Sequence, residues 1–135
     1  MRVFVDTSAL YALRRQKDRH HARARELAEY HQSSGYRYVG TTLVLAELHS
    51  NLLYSRGPAD ARDSIANLME DPAHEWIPVS LELMYAATMS WLARFADQGF
   101  SLTDAVSFEV MRREKLTHAF AFDRHFEVAG FELLR

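Results

Sequence analysis

Four acidic residues, Asp6, Glu47, Asp104 and Asp123, lie in four well-separated segments, each next to a hydrophobic run that could carry it to a common place. Two carboxylates about 4 Å apart repel by roughly 4 kcal/mol at an effective dielectric of about 20. They either protonate, with raised pKa values, or are neutralised by a cation. A donor set of oxygens alone favours a hard divalent ion, magnesium or manganese, and magnesium keeps several waters and binds phosphate. One or two such ions could lower the pKa of a water, orient it in line and stabilise a leaving 3′ oxygen. The matching reaction is phosphodiester hydrolysis to a 5′-phosphate and a 3′-hydroxyl, with no covalent intermediate. Glycosidases fit less well, since they need only a pair of carboxylates and usually a larger fold.

The elements that must position these acids can be read from periodicity. Val3, Phe4 and Val5 form an unbroken apolar run, as expected of a strand covered on both faces, and Asp6 ends it. Asp6-Thr7-Ser8 then offers capping residues to a short helix through Leu13. A second helix is expected from Asp18 to Ser33, with Gly35 as its stop. Tyr36 to Val39 reads as a strand, and Thr41-Thr42 opens a helix carrying Glu47 on the shoulder of its Val44, Leu48 and Leu52 stripe. Gly57-Pro58 breaks that helix, and Pro58 to about Met69 is helical again. Trp76 to Val79 is extended, its proline suggesting an edge position.

Ser80 is expected to cap one long helix that Gly99 ends, and Ser101 to Asp104 resembles a capping box for a helix through about Glu114. His118 to Phe122 reads as a strand ending in Asp123, and a last strand falls near Phe131 to Leu134. Strands alternating with helices imply an α/β fold, a three-layer α/β/α sandwich with a central, mainly parallel sheet, in one domain spanning 1–135. Such sheets place ligands beyond the carboxyl ends of their strands, where Asp6 and Asp123 fall.

Each acid also has an ordinary structural explanation. Asp6 could be a helix cap, Asp104 the acid of a capping box, Asp123 a turn former and Glu47 an exposed helix residue. Two strands ending in aspartate at the same sheet edge weigh against all four explanations holding alone.

Composition narrows the classes further. A chain of 135 residues buries roughly two thirds of its unfolded surface and folds without staples. With no cysteine, thiolate metal sites, cysteine nucleophiles and disulfides are excluded. No apolar run approaches the roughly 20 residues that span a bilayer. Met1 to Asp6 reaches an acid before a signal-type apolar region develops, so the expectation is a cytoplasmic protein without membrane association. The net charge is −2, yet of 16 basic residues only Lys17 and Lys115 are lysines. Arginine's planar fork suits phosphate or a tight interface, although a GC-rich coding bias would give the same excess. The Arg14 to Arg25 stretch is the densest basic region, suited to RNA phosphates or to an acidic partner.

Val3 to Leu10, Thr42 to Glu47, Ser101 to Ala105 and Phe120 to Phe126 resemble, in order, the four acidic motifs of PIN domains, in particular the VapC-type toxins. The resemblance runs from Val3 to about Phe131. It implies a metal-dependent ribonuclease in which Asp6 and Asp104 are the principal ligands of magnesium or manganese. Glu47 would help bind metal or activate water, and Asp123 would act directly or through a water. Thr7 and Thr103 match polar positions beside the acids. The resemblance further implies RNA as substrate, a silencing antitoxin protein as partner, and a homodimer.

Other readings stand beside this one. A phospho-acceptor receiver domain also clusters aspartates around magnesium, but it needs a lysine at the site, and neither Lys17 nor Lys115 ends a strand. An RNA-processing nuclease outside a toxin system, or a binding module that does not cleave, would carry the same acids. His20 and His21 are adjacent and read as surface residues; His125, beside Asp123, could assist catalysis or bind substrate but reads first as a structural turn residue. Trp76, Trp91 and the phenylalanines read as core or interface and not as a base-stacking platform. No glycine-rich phosphate loop is present.

Overall fold

Val3, Phe4 and Val5 are at most 1% exposed, as their uninterrupted apolar run requires of a strand covered on both faces. The structure, a computed structural model, describes residues 1–134. Among these, five strands form one parallel sheet: β1 (Arg2–Val5), β2 (Arg37–Thr41), β3 (His74–Ile77), β4 (His118–Phe120) and β5 (Glu132–Leu133). Their spatial order is β3-β2-β1-β4-β5. Flanking helices are α1 (Thr7–Arg14), α2 (His21–Ser33), α3 (Thr42–Arg56), α4 (Pro58–Glu70), α5 (Leu81–Ala87), α6 (Leu102–Arg113) and α7 (His125–Val128). α1 packs on α2 and α3, α3 on α4, and α5 on α6. The α/β fold expected from the alternation is the one formed, and every described strand pair is parallel.

Local signals set the helix starts nearest the acids. Thr41 Oγ1 accepts the Val44 N–H at 3.2 Å and opens α3. Ser101 and Asp104 close a reciprocal capping box at the head of α6, satisfying two otherwise orphan donors. β3 is an edge strand, and Pro78 follows it. Trp76 lies over its register partner Gly40, where a Cβ would run into the indole. The indole Nε1 donates to Leu68 O at 3.0 Å, which ties the sheet edge to α4.

Several boundaries differ from expectation. β3 runs His74–Ile77 and not Trp76 to Val79, and β2 runs Arg37–Thr41 and not Tyr36 to Val39. Three further differences have a visible cause. α2 begins at His21, because Asp18 Oδ1 accepts the His20 N–H at 2.8 Å and holds a turn. The helix expected to reach Gly99 is α-helical only to Ala87. Thr88–Leu92 then widens to a π-helical segment, closed by Ala93 N–H on Thr88 O at 3.0 Å. The widened turn carries Trp91 onto Phe108 and Phe131, with its Nε1 3.1 Å from Glu109 Oε1. Finally, β4 stops at Phe120, so Asp123 lies three residues past the strand instead of ending it. The Phe122 N–H has left the ladder and donates to Ser8 Oγ at 2.9 Å.

Candidate active site

β1 is the centre of the sheet, and the chain fills one side with β2 and β3 before crossing to β4 and β5 on the other. The crevice between β1 and β4 is therefore the topological switch point, where open α/β sheets bind ligands. Asp6 follows β1 directly, and its N–H donates across that crevice to Phe120 O at 3.1 Å. A cleft of about 490 Å³ opens there, lined by Asp6, Glu47, Asp104 and Asp123 together. Thus the four acids named from the sequence meet. Neither lysine lines this cleft, which removes the support a receiver-type reading would need.

The ordinary explanations for three of these acids also hold, each through one oxygen. Asp6 Oδ2 caps α1, accepting Ser8 N–H at 3.2 Å and Ser8 Oγ–H at 2.6 Å. Asp104 Oδ2 accepts the Ser101 N–H at 3.1 Å. Asp123 Oδ1 accepts the His125 N–H at 2.9 Å. The other oxygens, Asp6 Oδ1, Asp104 Oδ1 and Asp123 Oδ2, accept no hydrogen bond from the described residues. Capping orients each carboxylate while leaving it a free donor atom.

Crowding shows in the proton affinities. Burial pushes the Asp6 carboxyl up to about 7, and the charges of Asp104 and Asp123 add to the shift against the two Ser8 hydrogen bonds. Glu47 is raised as well, by burial first and then by Asp104 and Asp123, while the Thr7 and Thr103 hydroxyls oppose it. Thr7 Oγ1 is buried and makes no hydrogen bond of ordinary geometry. Net negative charge with unused carboxylate oxygens is the donor chemistry of a hard divalent cation.

His125 joins the group. Its Nδ1 stands 3.1 Å from Asp104 Oδ2 and 3.5 Å from Asp123 Oδ1, and Phe100 packs edge-on against its ring. One donor atom each from Asp104, Asp123 and His125 falls within 4.8 Å of the others. A turn role is thus only part of what His125 does.

Other cleft residues were not singled out from the sequence. Asn51 lies one helical turn after Glu47 on α3, so helix spacing could have found it. Ser8 and Phe122 sit inside the motifs but carried no role there. His20, expected on the surface, lines the cleft with its ring stacked on Phe122. Within the basic stretch, Arg19 lines the cleft, whereas Arg23 and Arg25 pair with Glu26 and Glu29 on α2. Among the described residues no helix is long and apolar enough to cross a membrane.

A cleft of carboxylates at the switch point of a five-stranded parallel sheet defines the class: residues 3–132 match the PIN-domain model, and the chain belongs to that family. The 23S rRNA-specific endonuclease VapC20 of Mycobacterium tuberculosis is 31% identical over 134 residues, covering 98% of each chain. The crystal structure of VapC20, described as a sarcin-ricin loop cleaving toxin, matches with a TM-score of 0.88 at 32% identity over 98% of each chain. Two more distant structures share the fold at 13% identity. VapBC2 from Rickettsia felis, bound to a promoter DNA fragment, has a TM-score of 0.72 over 99% of this chain and 98% of its own. FitAcB from Neisseria gonorrhoeae has 0.68 over 100% and 97%. The protein is a VapC-like PIN-domain nuclease.

Proposed function

We propose that this chain is a magnesium- or manganese-dependent endoribonuclease and the toxin of a toxin–antitoxin pair. The observation that carries the reading is the pairing of one tethered and one free oxygen on each of Asp6, Asp104 and Asp123 around a single cleft. Asp6 and Asp104 are the principal metal holders in this reading, with Asp123 beside them. A bound magnesium or manganese ion would supply Lewis acidity towards a phosphodiester and lower the pKa of a water.

The chain's own groups do the rest. Glu47, whose pKa is raised by burial, accepts a proton from the attacking water more readily than an exposed glutamate would. Arg19 and Arg124 on the cleft wall hold substrate phosphates. The near relative's name makes a ribosomal RNA loop the first substrate to try. The VapBC2 and FitAcB neighbours support an antitoxin partner. Leu81, Tyr85 and Met89 are exposed at one-turn spacing, which supports the homodimer, and the setting is cytoplasmic.

The test is cleavage of a labelled RNA pool with manganese, comparing wild type, Asp6→Asn and an EDTA control, after removal of any co-purifying partner. Metal-dependent cleavage that disappears in Asp6→Asn supports the reading. Cleavage that persists in the variant contradicts the assigned site.

A further inference from the structure

The wall of the cleft carries a feature the four-acid chemistry does not use. His20 and Phe122 lie face to face, with centroids 4.4 Å apart and planes 6° from parallel. Phe122 is anchored below by an edge contact with the buried Phe120 at 6.2 Å. His20 is held twice: Arg19 Nε donates to its Nε2 at 3.1 Å, and its backbone N–H donates to Asp18 Oδ1 at 2.8 Å. Among the described residues no second ring stacks on His20, which is partly exposed and lines the cleft.

This stack is also in register with the carboxylates. The Phe122 N–H donates to Ser8 Oγ at 2.9 Å, and Ser8 Oγ–H donates to Asp6 Oδ2 at 2.6 Å. One hydroxyl thus fixes the root of the aromatic pair to the head of the acidic cluster. A flat ring, covered on one face and clamped at its edge by the Arg19 guanidinium, is the kind of surface on which a nucleobase stacks.

We infer that the His20–Phe122 stack is a platform for one unpaired base flanking the scissile phosphate. The inference rests on the ribonuclease reading above and names the side chains that would hold a base beside the cut. Bases inside a duplex keep both faces covered by their neighbours, whereas splayed-out bases in loops present a face to aromatic side chains. Every base has such a face, so the platform selects for an unpaired nucleotide more than for its identity.

The experiment uses the whole protein with manganese and an RNA hairpin carrying the sarcin-ricin loop that the VapC20 relative is described as cleaving. An abasic nucleotide is placed at each position around the mapped cut, and each hairpin is tested with wild type, His20→Leu and His20→Phe. Leucine keeps apolar packing on Phe122 but offers no ring; phenylalanine keeps the ring. One abasic position is expected to lower the wild-type kcat/KM by roughly 5- to 150-fold, the range for a lost base–aromatic stack. His20→Leu should show a similar loss on the intact hairpin and no further loss at that position, with His20→Phe restoring both. Manganese affinity and thermal melting should be the same in all three proteins.

Three results overturn the platform while leaving the nuclease standing: His20→Leu cutting like wild type, losses that add independently, or a fully paired duplex cut as fast as the hairpin. No manganese-dependent cleavage of any RNA removes the ribonuclease reading, and the platform with it.

Discussion

Ser8 Oγ lies 2.6 Å from Asp6 Oδ2, and the same oxygen takes the Phe122 N–H at 2.9 Å. A single hydroxyl therefore joins the first helix, the buried acid and the chain leaving β4. Ser8→Ala removes both bonds, leaving the partly buried Phe122 N–H short of an acceptor and Asp6 Oδ2 with the Ser8 N–H alone, a cost of about 1–3 kcal/mol. It also removes the larger of the two Ser8 hydrogen bonds that oppose the rise in the Asp6 pKa, the backbone N–H bond remaining. Denaturant unfolding should show the loss. In addition, the acidic limb of the pH–rate profile should move to higher pH, with kcat/KM lower by roughly 10- to 100-fold. An unshifted limb would mean that Asp6 ionisation does not govern that limb.

The raised Asp6 pKa has a consequence for stability. The folded state holds a proton on Asp6 up to about pH 7, whereas an aspartate in the unfolded chain loses it near 3.8. Between those values the folded state binds more protons than the unfolded chain, so this group makes metal-free protein less stable as pH rises. The full shift corresponds to at most about 4 kcal/mol. Two histidines with lowered pKa values, His31 and His74, act in the opposite direction and would mask the trend in wild type alone. The readout is thus a difference. The melting temperature of metal-free Asp6→Asn minus that of wild type should grow from pH 4 to pH 7. Manganese should raise the wild-type value more at pH 8 than at pH 5, and the variant's value much less. A pH-independent difference would show that Asp6 ionises normally in the fold.

His125 should matter to the metal and not only to the turn. Its Nδ1 faces Asp104 Oδ2 at 3.1 Å, so the ring fixes the direction in which that carboxylate points. His125→Ala is expected to weaken manganese binding by about 10- to 100-fold, the usual effect of removing a group that orients a ligand. His125→Gln, which can still donate to Asp104, should recover part of it. Calorimetric titration without RNA measures this directly. Unchanged manganese affinity in His125→Ala would restrict the residue to the turn.

Much of this was legible in the chain, and the misses share a cause. Val3 to Val5, the Ser101–Asp104 capping box and the flank of α3 bearing Glu47 rest on local rules, and each is found where periodicity and capping chemistry put it. Asp123 also reaches the cleft, but not from a strand end. Ala121 and Phe122 are apolar and read as strand, yet the Phe122 N–H is taken by a hydroxyl 114 residues away in sequence. The π-helical segment at Thr88–Leu92 keeps an apolar spacing that one turn of α-helix would also satisfy. The roles of His20 and His125 depend on which distant ring or carboxylate each one meets, and no spacing within a segment encodes that.

A last prediction concerns an acid outside the cleft. Glu109 is 1% exposed, and it holds the Trp91 indole, Arg112 and Arg113, while Arg113 also pairs with Glu82 on α5. Burial works to raise its pKa, but the hydrogen bonds from Arg112, Arg113 and Trp91 outweigh burial and bring it down to about 2. A lowered carboxyl pKa contributes stability that is complete above the ordinary glutamate value of 4.5 and lost as pH falls towards 2. Both arginines reach solvent, which screens the pairs, so the contribution is roughly 1–2 kcal/mol and not the full value of the shift. Glu109→Gln keeps the shape and removes the charge. It should lower stability by about that amount at pH 7 and converge on wild type near pH 2, with cleavage by the folded protein unchanged because Glu109 does not line the cleft. Urea unfolding at the two pH values decides the point. An equal deficit at both would assign the role of Glu109 to packing against Trp91, whereas convergence would assign it to its ion pairs with Arg112 and Arg113 within α6.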